Sequence, residues 1–130
     1  MYKTISKEII KRFDPNSELI NIITDENEEL PVKEWVEKYR NKTRIVYIIW
    51  LLLRKEFMSD KDLKLYKSWS AQEALNLLKN KDKENGEAYT IYERYYNGQA
   101  TKEELIDAAS NAAASTKSRK AQLDKLLTYF

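Results

Sequence analysis

Residues 45–53, Ile-Val-Tyr-Ile-Ile-Trp-Leu-Leu-Leu, constrain the fold more than any other stretch: nine residues in a row, none of them charged. A helix built from them has no polar face and belongs in the middle of a bundle. A membrane-spanning helix needs about 20 apolar residues, so the run is too short to cross a bilayer. The rest of the chain agrees with helix. It has only two glycines and two prolines in 130 residues, and a fold of many short strands needs more turn residues than that. The expectation is an all-α fold in a single domain over residues 1–130. It would be a compact bundle of five or six helices with a central apolar helix near residues 44–57, and Trp50 sheathed on every side.

Periodicity places the other elements. Over residues 4–13, Ile5, Ile9, Ile10 and Phe13 fall on one helical face, and Asp14-Pro15-Asn16-Ser17 ends that helix. Residues 19–23 suit a short strand, a helical turn or an irregular segment. Pro31 fits the first turn of a helix whose stripe is Val32, Trp35, Val36 and Tyr39, and Asn41 or Thr43 can cap the next. Ser59 caps a helix with Asp60 and Asp62 in its first turn; its stripe is Leu63, Tyr66, Ala74, Leu77 and Leu78. Residues 79–85 read as a polar break. Ala88, Ile91, Tyr92, Tyr95 and Tyr96 mark a further helix ended by Asn97-Gly98. Thr101-Lys102-Glu103-Glu104 is a capping box that opens one final helix running to Leu127.

The missing residue types narrow the function. There is no cysteine and no histidine, which removes disulfides, zinc fingers, thiol nucleophiles and imidazole acid–base chemistry. No Gly-x-Ser-x-Gly, phosphate loop, Ser-x-x-Lys or dinucleotide fingerprint occurs. The chain is expected not to be an enzyme and to need no cofactor. Met1-Tyr2-Lys3-Thr4 has no apolar signal region, so a cytoplasmic location is expected, the host cytoplasm if the gene is carried by a phage.

Charge is unevenly distributed. Residues 14–37 hold eight acids and one lysine, and residues 38–67 hold nine bases and three acids. Asp25, Glu26, Glu28, Glu29, Glu34 and Glu37 are candidates for an acidic protein-binding face. Arg40, Lys42, Arg44, Lys61, Lys64 and Lys67 are candidates for binding nucleic acid or an acidic partner. The blander possibility is two solvated faces that partly neutralise each other. The acidic loop lacks the alternating ligands and central glycine of a calcium site, and a di-iron bundle would need Glu-x-x-His; no metal is expected. No helix-turn-helix pattern accompanies the basic block. Tyr89, Tyr92 and Tyr96 share one stripe, with Tyr95 elsewhere, suited to core packing or to an interface. The alanines of the final helix allow close approach of another helix, either within the chain or in a second copy.

Two segments carry a family resemblance. Met58-Ser59-Asp60-Lys61-Asp62-Leu63-Lys64-Leu65-Tyr66 followed by Trp69 is one. The stronger is Tyr92-Glu93-Arg94-Tyr95-Tyr96-Asn97-Gly98-Gln99-Ala100-Thr101-Lys102-Glu103-Glu104-Leu105, running into Asp107-Ala108-Ala109-Ser110-Asn111-Ala112-Ala113-Ala114. Over residues 45–115 the chain resembles an alanine-rich α-helical family of small bacterial and phage proteins labelled immunity proteins. Members have longer alanine runs and carry cysteine or histidine in the middle helix, where Lys67, Ser68 and Ser70 stand here. The resemblance implies a protein-binding, neutralising role against a toxin or a bacterial defence enzyme. Extended by gene type and size, it points to a phage inhibitor such as an anti-CRISPR protein. A nucleic-acid-binding regulator and a self-associating structural subunit are the competing expectations.

Overall fold

The computed structural model describes residues 1–84 and 91–130 and is mostly helical, with eight α-helices and one two-stranded antiparallel ribbon among those residues. That is more helices than the five or six expected, and the ribbon is an addition to an all-α scheme. The chain groups into two compact units, Met1–Lys64 with Lys120–Phe130, and Leu65–Arg119. No helix among the described residues is long and apolar enough to cross a membrane.

In the first unit, the helix expected over residues 4–13 divides. β1 (Thr4–Ser6) is extended and α1 (Lys7–Phe13) begins only after Ser6, whose hydroxyl accepts the Ile9 N–H at 3.2 Å. A serine that satisfies one of the free N–H groups of a helix start fixes the boundary. Ile5, Ile9 and Ile10 are buried all the same. The undecided segment 19–23 contributes α2 (Glu18–Asn21), one turn capped by Ser17. β2 (Glu29–Pro31) pairs with β1, with Thr4 opposite Pro31 and Ser6 opposite Glu29. Pro31 has no N–H to offer a ladder, and in a two-stranded ribbon at a strand end none is needed. It then serves as N-cap of α3 (Val32–Tyr39), one position earlier than expected, and the predicted stripe Val32, Trp35, Val36 and Tyr39 is wholly buried.

α4 (Ile45–Leu52) corrects the central expectation. Arg44, not Asn41 or Thr43, is its N-cap. It buries Ile48, Ile49, Leu51 and Leu52, but Trp50 is 37% exposed. The helix also stops five residues early. Leu53 adopts φ −78° and ψ 62°, and the Arg54 N–H donates to the Leu52 carbonyl at 2.9 Å. This is an inverse γ-turn. It redirects the chain so that Phe57 and Met58 return to the interior, 4% and 2% exposed.

α5 (Asp60–Glu84) continues through most of the predicted polar break. Lysine and glutamate are good helix formers, and a polar run without glycine or proline has no reason to stop a helix. Asn85 and the predicted onset at Ala88 lie outside the described residues. α6 (Ile91–Tyr96) ends at Gly98, whose φ is +74°. Gln99 N–H donates to the Arg94 carbonyl at 2.7 Å and Gly98 N–H to that of Tyr95 at 3.1 Å. The pair is the Schellman closure that a glycine in this conformation permits. α7 (Lys102–Ala112) opens with the predicted capping box of Thr101 and Glu104. Leu105 and Ala109 join Leu78 in the second unit's core, with Ala74, Leu75, Ile91, Tyr95, Ala108 and Ala112 against them. The alanine stripe thus packs within the chain. The predicted single final helix breaks after Ala112, and α8 (Thr116–Leu127) restarts with the Ser115 hydroxyl accepting the Ser118 N–H at 3.2 Å.

Candidate functional site

Four of the six acidic candidates are engaged inside the first unit. Asp25 accepts the Asn27 N–H at 2.9 Å in a local turn. Glu26 pairs with Lys7 at 3.6 Å, and Glu29 accepts the Thr4 hydroxyl at 2.9 Å across the ribbon. Glu28, whose side chain is 12% exposed, accepts from both the Lys38 ammonium and the Tyr39 hydroxyl. Glu34 and Glu37 are exposed on α3 and have no partner among the described residues. Five of the six carboxylates are exposed, and Glu28 alone is largely covered by its partners.

The Glu28 cluster is electrostatic in consequence. The hydrogen bond from Lys38, and after it the one from Tyr39, hold the Glu28 carboxyl below the usual carboxylate range. Burial, and then the bond to Glu28, push the Tyr39 phenol up. With Glu28 depressed, the unfolded chain takes up its proton first as pH falls. Stability from this group is present above the ordinary carboxylate value and is lost as pH drops through the folded one. Urea midpoints followed from neutrality to about pH 3 should fall less steeply in Glu28→Gln than in the parent chain. Identical slopes would show that Glu28 is not anchored in this way.

The basic candidates are scattered. Arg40 donates to Asp124 of α8 at 2.9 Å, an ion pair that ties α8 to the end of α3. Lys42 lies 5.4 Å from the Tyr39 ring centre, and Arg44 lies 5.7 Å from that of Tyr47. Lys61, Lys64 and Lys67 are exposed on α5, where Asp60 and Asp62 share the first turn. Arg40 is thus paired, Lys42 and Arg44 lie against the chain's own rings, and only Lys61 of the three lysines stands between carboxylates.

What sequence reading missed is the surface around Trp50. The turn at Leu53 places the Arg54 guanidinium between two rings, 4.6 Å from the centre of Phe13 and 4.3 Å from that of Trp50. Such stacking contributes about 0.5–2 kcal/mol depending on desolvation. Arg54 has no carboxylate partner among the described residues, and its Nε is buried without a hydrogen-bond partner. Beside it, Tyr47 and Trp50 face the 14–18 segment across a cleft of about 320 Å³ whose polar side is Asp14, Asn16, Ser17 and Glu18. That segment is held by its own turns: Asp14 accepts the Asn16 N–H at 2.9 Å, and Ser17 caps α2. Tryptophan, tyrosine and arginine, fixed in position at the edge of a cleft, are the residue types that dominate protein–protein contacts.

Among the described residues no group of three or more acidic side chains is placed to hold a metal ion. In the second unit Tyr95 is turned toward the core, and Tyr96 is 68% exposed against its ring at 5.4 Å. The predicted stripe cannot be followed further, because Tyr89 and the side chain of Tyr92 lie outside the described residues. Compared with protein-family models, with curated proteins and with solved structures, the chain matches none.

Proposed function

We propose that this chain is a non-catalytic binding protein that occupies and neutralises a protein target, with Trp50, Tyr47 and Arg54 at the centre of the contact. The observation that carries this reading is the 37% exposure of Trp50 on a helix that buries Ile48, Ile49, Leu51 and Leu52, its ring braced by Arg54 beside the cleft. A large ring already held rigid loses little freedom on binding, and this rigidity is what lets a few residues supply most of an interface's energy. The resemblance to immunity-type proteins supplies the target class: a toxin or a bacterial defence enzyme, the latter if the chain is a phage inhibitor of the anti-CRISPR kind. The competing nucleic-acid reading has less support, since Arg40 is engaged by Asp124 and Lys61 stands between Asp60 and Asp62.

Affinity capture from a nuclease-treated bacterial lysate tests the proposal, with the parent chain and Arg54→Met as parallel baits. Methionine keeps much of the stacked volume, removes the charge and removes the unpaired Nε, so the variant should fold as the parent does. A protein retained in stoichiometric amount by the parent should drop by about tenfold on Arg54→Met. Equal retention by both baits, or no protein retained in stoichiometric amount by the parent, would overturn the reading.

A further inference from the structure

A second cavity of the first unit lies at the end of the ribbon. It measures about 400 Å³ and is lined by Tyr2, Lys3, Lys33, Phe57, Tyr129 and Phe130, among others. The ribbon creates it: Val32 N–H donates to the Lys3 carbonyl at 3.2 Å, which brings two lysines 30 positions apart in sequence to the same rim. Neither lysine has an ion pair or hydrogen bond among the described residues, both are exposed, and no Asp or Glu side chain lines the cavity. The wall is aromatic and fixed. Phe57 is 4% exposed and packs 5.6 Å from Tyr2, whose hydroxyl accepts from Arg12 at 2.8 Å. Lys125 lies 5.8 Å from the Tyr129 ring centre, adding positive charge behind that ring.

We propose that this cavity binds a planar aromatic anion. Its volume falls in the lower part of the range of small-molecule sites, about 300–1,000 Å³, which suits a body of one or two fused rings. Aromatic walls favour a flat apolar body through burial and ring–ring geometry. Two ammonium groups at the mouth favour a negative group at its edge, and no acidic side chain among the lining residues opposes them. This site is separate from the Trp50 surface and shares no lining residue with that cleft.

The test uses the full chain and two fluorescent probes, 1-anilinonaphthalene-8-sulfonate and its uncharged parent N-phenyl-1-naphthylamine. Lys3→Gln with Lys33→Gln should weaken the sulfonate about tenfold and leave the uncharged probe unchanged. Lys61→Gln with Lys64→Gln removes the same charge from residues that do not line the cavity, and should change sulfonate binding by less than about twofold. Equal weakening by the two double variants would reduce the effect to net charge and overturn the site. So would sulfonate binding that is absent from the parent chain or indifferent to Lys3 and Lys33.

Discussion

Trp35→Ala should cost about 3–5 kcal/mol of stability, the range for removing a large aromatic side chain from a packed core. Trp35 is 0% exposed on α3, with its ring centre 4.9 Å from that of Tyr39. Domains are stable by only about 5–15 kcal/mol in total, so the variant should be largely unfolded at modest denaturant, read by far-UV circular dichroism in urea. Trp35→Phe, like Trp35→Ala, removes the indole N–H, so the difference between the two variants reads the void alone. The indole Nε1 is buried without a hydrogen-bond partner, a cost of about 1–3 kcal/mol that both variants remove. Phenylalanine leaves a smaller void than alanine does. Trp35→Phe should therefore lose much less than Trp35→Ala. Equal losses for the two would mean that the site collapses around alanine as well as around phenylalanine, and a loss under about 1 kcal/mol for alanine would remove α3 from the core.

Trp50→Ala should do the reverse. A residue this exposed leaves no closed cavity when it is cut back, so stability should fall by no more than about 1 kcal/mol, mostly through the lost Arg54 stacking. Binding to the protein captured by the parent chain should weaken by about thirtyfold or more, the effect of losing a central interface anchor of about 2 kcal/mol. Calorimetric titration gives the second number and urea denaturation the first. Parent-like affinity would move the interface elsewhere. A variant that unfolds would restore the expectation of a sheathed central helix.

These two tryptophans show how far the sequence carries. Trp35 belongs to the repeating stripe Val32, Trp35, Val36, Tyr39, and a stripe at three- and four-residue steps states which face is buried. Trp50 sits in a run that is apolar all round, so periodicity says nothing about which face meets solvent. The stop at Gly98 and the box of Thr101 and Glu104 were readable because their chemistry is local. The turn at Leu53 has no glycine, proline or asparagine to announce it. It exists because Phe57 and Met58 gain burial by leaving the helix axis. The ribbon has strands of three residues each, too short to show alternation, and its pairing joins positions more than 20 residues apart. The charges were visible, but their partners were not. Lys7 with Glu26, Lys38 with Glu28 and Arg40 with Asp124 come together only through that ribbon and the return of α8.

The first unit is discontinuous along the chain, and this has a bearing on how it is made. Leu123 and Leu126, both 0% exposed, belong with Met1–Lys64. A ribosome must synthesise residues 65–119 before either leucine exists. A nascent polypeptide that has emerged only that far carries an N-terminal half with two gaps in its interior and no Asp124 to receive Arg40. Larger chains generally fold from the N-terminal end during synthesis at about 5–20 residues per second. Here the opposite order is imposed: the half translated first is the one that must wait.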